Sequence, residues 1–181
     1  MSNIFFTSDH HFNHAGIIEY CERPFKNVWA MNTYLIDKWN EKITNEDTVY
    51  YLGDFGFGDC GEILKRLRYS SIQLIRGDHD KNQTTCFNDR FHVREDRIFE
   101  FKAGKWPEQI QIILCHWCMR AWPRSHYGTW HLFAHSHGKL EPIGKSWDAG
   151  VDNNNFEPLS LDEISDIMRG RPNNPNLVRE V

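Results

Sequence analysis

The chain has 181 residues, 40% of them hydrophobic and 25% charged, which suits one soluble globular domain with a sizeable core and is short for two. Asp and Glu number 25 against 21 Lys and Arg, a net charge of -4, which argues against holding nucleic acid by bulk electrostatics. The apolar runs are far shorter than a bilayer span and no secretory h-region opens the chain, so no membrane partner and a cytoplasmic location are expected.

Asn3 to Ser8 reads as a buried first strand that delivers Asp9-His10-His11 at its end. Residues i and i+2 project the same way, so Asp9 and His11 can face one point while His10 points elsewhere. Ile17 to Tyr20 suggests a helical turn closed by Arg23-Pro24. Val28 to Ile43 is the clearest helix, with Met31, Leu35, Ile36 and Trp39 on one stripe. A turn at Asn45-Glu46-Asp47 leads into a second strand, Asp47 to Leu52, stopped by Gly53 and followed by Asp54. Glu62 to Arg68 is a short helix, and Ser71 to Arg76 a third strand that stops at Gly77 and presents Asp78-His79-Asp80. The order β-α-β-α-β favours a layered α/β sheet, in which ligands usually bind at the carboxyl ends of strands.

Phe91 to Phe101 alternates as an antiparallel strand or hairpin does, with its turn over residues 104–108. Gln109 to Leu114 is a strand ending on Cys115-His116. Trp117 to Tyr127 is an irregular loop rich in aromatic and basic residues. Thr129 to Ala134 is a further strand ending on His135-Ser136-His137, another i, i+2 pair, and Trp147 to Val151 a short edge strand. Ser160 with Glu163 forms a capping box for the last helix, and the Asn- and Pro-rich stretch from residue 170 to 181 reads as an irregular tail. There is neither an internal repeat nor a domain boundary, so residues 1–181 are taken as one domain.

Five cysteines stand at 21, 60, 86, 115 and 118; the single CxxC has no second pair to complete a zinc knuckle, and reduced thiols are expected. Histidine is the outlier. Seven of the ten, His10, His11, His14, His79, His116, His135 and His137, cluster at strand exits. Charged and imidazole groups in such places cost free energy unless a metal, an ion pair or water satisfies them. Together with Asp9, Asp54 and Asp78, His11, His116, His135 and His137 make a donor set suited to Mn, Fe, Zn, Ni or Co. They are too many for one four-coordinate ion and about right for two ions ~4 Å apart sharing a carboxylate, an arrangement used for in-line displacement at phosphorus.

In that order the blocks resemble those of the calcineurin-like metallophosphoesterases, small single-domain bacterial and phage members in particular. Asp9-His10-His11 is similar to the family's D-x-H, Gly53-Asp54 to its G-D, and Gly77-Asp78-His79-Asp80 to its G-N-H-D. Cys115-His116 is similar to its G-H, and His135-Ser136-His137 to its G-H-x-H. The resemblance implies a four-layer αββα sandwich of two mixed sheets with two divalent transition metal ions, Mn first among them, at the strand ends. One ion would take Asp9, His11 and His137, and the other Asp78, His116 and His135, with Asp54 bridging. A bridging hydroxide would attack a small phosphate mono- or diester, with a nucleotide or cyclic nucleotide the leading candidate, and His79 would protonate the leaving oxygen. Asp80 would orient that imidazole. Arg120, Arg124 and His14 are candidate phosphate clamps, and Trp117, Trp122 and Trp130 candidate base-stacking groups. Two departures stand out: Asp78 where the family has Asn, and Cys115 where it has Gly. A protein that sequesters a phosphorylated ligand without cleaving it, and a nuclease, are the alternatives.

Overall fold

The computed structural model describes residues 3–80, 89–94, 96–104 and 109–174. Cys86, most of the expected turn at 104–108 and the tail beyond residue 174 lie outside them.

Strands β1 (Ile4–Thr7), β2 (Thr48–Tyr51), β3 (Ser71–Ile75) and β4 (Phe91–Arg94) run parallel, and β9 (Leu159–Ser160) pairs antiparallel with β1, giving a first sheet in the order β4-β3-β2-β1-β9. A second sheet has the order β5-β6-β7-β8, from β5 (Ile98–Ala103), β6 (Ile110–Cys115), β7 (Trp130–Phe133) and β8 (Ser146–Asp148). There β5 is antiparallel to β6, while β6, β7 and β8 are parallel. The helices are α1 (Gly16–Tyr20), α2 (Val28–Lys42), α3 (Gly61–Arg66) and α4 (Leu161–Arg169).

The period-2 side-chain alternation of the first sheet divides its residues between two cores. Phe5, Val49, Tyr51, Ile72 and Leu74 pack against the expected stripe of α2, Met31, Leu35, Ile36 and Trp39, and against Ile63 and Leu64 of α3. Phe6 and its neighbours on the opposite face, with Leu52 and Ile75, meet Ile112, Leu114 and Leu132 of the second sheet. Helix α4 closes the β9/β8 edge of this second core with Ile164 and Met168, and the Lys145 ammonium donates to the Met168 carbonyl at 2.6 Å.

The four-layer αββα sandwich is not what the chain forms. The architecture is sheet-dominated, nine strands to four helices among the described residues. Helices α1, α2 and α3 belong to the core on the far face of the first sheet, and α4 sits at an edge. The outer face of the second sheet, marked by buried His131 and Phe133, is met by residues 117–129, whose only helical piece is a 3-10 turn at Ser125–Tyr127. Trp122 is buried there, with its ring 5.3 Å from that of His131 and its indole N–H donating to the Thr129 carbonyl. This segment contains Pro123 and Gly128 and has no 3.6-residue apolar period, so it cannot build the fourth layer. The stretch Phe91 to Phe101 is likewise not one hairpin: β4 ends the first sheet and β5 starts the second.

A candidate metal centre at the strand exits

Both sheets bring the carboxyl ends of their parallel strands to one place. The Asp9 amide donates to the Gly53 carbonyl, the Ala134 amide to the His116 carbonyl, and Ser8 bridges to Gly150. Five of the expected ligands, Asp9, His11, Asp54, His135 and His137, have left-handed backbones with φ between 49° and 67°. Non-glycine residues in that region carry a conformational cost and concentrate at functional sites. Glycine clears the space between them: a Cβ on Gly53 would lie 2.7 Å from His116 Nδ1, and one on Gly77 2.8 Å from the Asp54 amide nitrogen.

Among the described residues three groups of donors result, one of which, Cys21, His137 and Asp152, has its carboxylate already engaged by Arg23 and by the His137 ring; the other two are left. Asp9, His11 and His137 place one ligand atom each within 4.8 Å of one another, and so do Asp54, His116 and His135. Asp54 links the groups, with Oδ2 lying 3.6 Å from His11 Nε2 and 3.5 Å from His116 Nε2. His116 Nδ1 donates to the Leu52 carbonyl at 2.6 Å, leaving the Nε2 lone pair facing Asp54, and His137 Nδ1 donates to Asp152 at 2.7 Å. Asp9 Oδ2 accepts from the His135 amide. Asp9 Oδ1, both ring nitrogens of His11 and Nε2 of His116 are buried without a hydrogen-bond partner. An orphaned buried acceptor costs about 1–3 kcal/mol, and a cation at each donor group would satisfy Asp9 Oδ1 with one ring nitrogen of His11 at the first and His116 Nε2 at the second.

The electrostatics agree. Burial, then the carboxylates of Asp54, Asp148 and Asp152, push the Asp9 pKa well above the usual range. Burial first, then the neighbouring His137, Arg23, His79 and His14, bring His11 down to about 2, and burial also lowers His116. Crowded carboxylates among neutral imidazoles are the charge pattern that divalent ions complete.

The remaining expected residues divide. Asp78 stands at the rim, its side chain 42% exposed, with Oδ2 3.5 Å from His135 Nδ1 and accepting from the Trp117 indole at 3.3 Å; it is outside the Asp54, His116, His135 donor group. His79 is half-exposed, its amide donating to Asp54 Oδ1 and its Nε2 4.0 Å from Asp54 Oδ2. Asp80 is spent on backbone: its carboxylate accepts from the amides of Asp54, Phe55 and Gly77, tying the exits of β2 and β3 together rather than orienting the His79 ring. His14 does reach the rim, stacked on Phe57 at 4.1 Å and 6.3 Å from the His79 ring. His10 is buried, its Nδ1 2.7 Å from the Tyr51 hydroxyl.

Two clamps are elsewhere. Arg124 lines a cavity of about 230 Å³ with Gln109, Gln111 and Thr129, beside the starts of β6 and β7 and so at the opposite end of the sheet from His116 and His135. The Arg120 carbonyl is bound by Asn174, whose backbone packs near Gly144 before β8. Trp122 and Trp130 are buried, which leaves Trp117 as the tryptophan at the rim. The loop that leaves His116 folds back along the sheet, so nearness in sequence does not become nearness to the site.

Four further residues at the site were not singled out from sequence: Arg23, Phe57, Asp148 and Asp152. Asp148 accepts from Ser136 Oγ and from the Gly138 amide, holding the His135–His137 turn. Its segment, Asp148-Ala149-Gly150-Val151-Asp152, repeats the pattern of β2 and β3, a strand run into glycine and then an acid. That repetition was the available signal.

No family model matches the chain. It is 34% identical over 180 residues to the uncharacterized protein MJ1445 of Methanocaldococcus jannaschii, covering 93% of this chain and 92% of that one. The chain belongs to the family of that archaeal protein. The gene 66 protein of Mycobacterium phage D29 is 36% identical over 89 residues, 45% of this chain and 42% of its own length. Among solved structures, the protein of unknown function AQ665 from Aquifex aeolicus shares the fold, with a TM-score of 0.69 over 92% of this chain and 100% of that one at 22% identity.

Proposed function

We propose that the protein is a dimetal phosphoesterase of the calcineurin-like type, hydrolysing a small phosphate mono- or diester. The observation that carries this reading is the pair of three-residue donor groups meeting at the Asp54 carboxylate. Two divalent transition ions, Mn first among them, would supply the Lewis acidity that activates water and offsets phosphoryl charge. Asp9, His11 and His137 would hold one, and Asp54, His116 and His135 the other. The chain's own contribution to the proton economy is His79, half-exposed, beside Asp54 and within 4.9 Å of the Phe57 ring, where it can pass a proton to a leaving oxygen. His14, Phe57 and Trp117 form the rim a substrate meets. The test is hydrolysis of bis-p-nitrophenyl phosphate and p-nitrophenyl phosphate by protein loaded with Mn, Ni, Co or Zn. Turnover with at least one is expected; none, with metal shown to be bound, overturns the proposal.

Asp78 favours a second reading, capture of a phosphorylated ligand without cleavage, because a carboxylate at the rim repels phosphate oxygens in the transition state. Calorimetry with a nucleotide, recovered intact, distinguishes the two. Among the described residues no helix is long and apolar enough to cross a membrane. A cytoplasmic location and a small phosphorylated partner, rather than nucleic acid, complete the proposal, in keeping with the net charge of -4.

A further inference from the structure

Arg23 is the most heavily engaged cation near the site, and its side chain is 0% exposed. Its Nη1 donates to the His10 carbonyl at 2.9 Å and its Nη2 to the Asp9 carbonyl at 2.6 Å. Nε and Nη2 also grip the two carboxylate oxygens of Asp152, each at 2.7 Å. The Asp152 oxygen that accepts from Nη2 accepts from His137 Nδ1 as well. One guanidinium therefore fixes the left-handed exit of β1, which carries Asp9 and His11, and through Asp152 it fixes the ring of His137. Every member of the first donor group is held from a single buried point. The second group has a different support: His116 is anchored by the Leu52 carbonyl, but the His135 side chain is 52% exposed and its charged neighbour Asp78 is 42% exposed.

Resting on the two-ion reading above, we infer that Arg23 is the positioning residue of the first metal position. The two positions are then unequal, the first rigid and retentive and the second open to exchange. The chemistry calls for arginine. The planar fork spans two carboxylate oxygens while a further nitrogen reaches a carbonyl on the other side, and a lysine ammonium has neither the span nor the fixed directions.

The experiment is a Mn²⁺ titration by calorimetry, with metal analysis after gel filtration, on the full chain and on Arg23→Lys, Asp152→Asn and Arg171→Lys. Arg171 is the control, an arginine bound to the Gly144 and Pro142 carbonyls away from the site. The wild type is expected to bind two ions in two affinity classes. Arg23→Lys and Asp152→Asn should weaken the tighter class by about 10–100-fold and leave the weaker one unchanged, the usual size of such supporting contacts. Arg171→Lys should move neither class. Thermal unfolding in chelator reads the fold separately. If Arg23→Lys and Asp152→Asn lower that unfolding temperature but keep both affinities, the arginine is only structural and the inference is overturned. If Arg23→Lys does not fold, Asp152→Asn decides. A wild type that binds no metal removes this inference and the proposed function together, whereas one that binds two ions and hydrolyses nothing removes the hydrolysis alone.

Discussion

Asp78 is where single-residue chemistry bears hardest on function. Its carboxylate stands beside His135 and Trp117, where an amide would offer an N–H to a phosphate oxygen and carry no charge. Asp78→Asn is therefore expected to raise turnover of p-nitrophenyl esters while metal content stays nearly constant; equal or lower activity counts against the repulsion argument. A second residue-scale outcome concerns His131, buried on the outer face of the second sheet. Burial brings its pKa from 6.5 to about 4, against hydrogen bonding that pulls the other way. A depressed folded-state pKa means that the histidine's stability is complete above the unfolded value of about 6.5 and is lost as pH falls toward 4. In chelator, the stability difference between the wild type and His131→Gln should shift against the wild type by about 3 kcal/mol between pH 7 and pH 4. Urea denaturation at a series of pH values reads it, and a pH-independent difference sinks the assignment. Six of the seven expected donors, Asp9, His11, Asp54, His116, His135 and His137, do come together, because their strands end at one place; Asp78 does not join them, and Asp80 shows that a carboxylate at a strand exit can instead serve the backbone. Arg23 was not legible in the sequence, since one arginine before a proline reads as a helix end until the fold brings Asp152 to it.

At the scale of elements, local signals served well and partner choice did not. The capping box of α4 is present as expected, the Ser160 hydroxyl accepting from the Glu163 amide and the Glu163 carboxylate accepting from the Ser160 amide. Ser160→Ala should cost about 1 kcal/mol in urea unfolding and leave metal affinity alone; a loss of metal binding would show that α4 supports the site as well as the edge. The stretch from Phe91 to Phe101 displays the limit. Alternation identifies a strand and says nothing of which sheet accepts it, so β4 and β5 look like one hairpin in sequence and lie in different sheets. The missing fourth layer has a similar origin. A loop lined with Trp122, Ser125 and Thr129 can bury a sheet face as a helix would, and sequence carries no periodic mark of that.

The whole molecule is two sheets whose shared core is framed by α4 at one edge and by the candidate metal centre at the strand ends. Ions that bind only the folded chain stabilise it, by about 2.7 kcal/mol at a hundredfold excess over Kd. Mn²⁺ should raise the melting temperature reversibly, chelator should return it, and Ca²⁺, which prefers all-oxygen ligands, should do much less. No Mn²⁺ effect would remove the basis of the proposed function. The donors also have a provenance: Asp9 and Asp54 follow strands of the first sheet, and His116, His135 and His137 follow strands of the second. An occupied centre would thus be a clasp across the seam, and its occupancy would bear on the chain's lifetime as well as on its chemistry. Limited proteolysis with Mn²⁺ and with chelator tests this: slower cutting at the strand ends with Mn²⁺ is expected, and equal rates would leave the seam to the bonds of His116 to Leu52 and of His135 to Asp9.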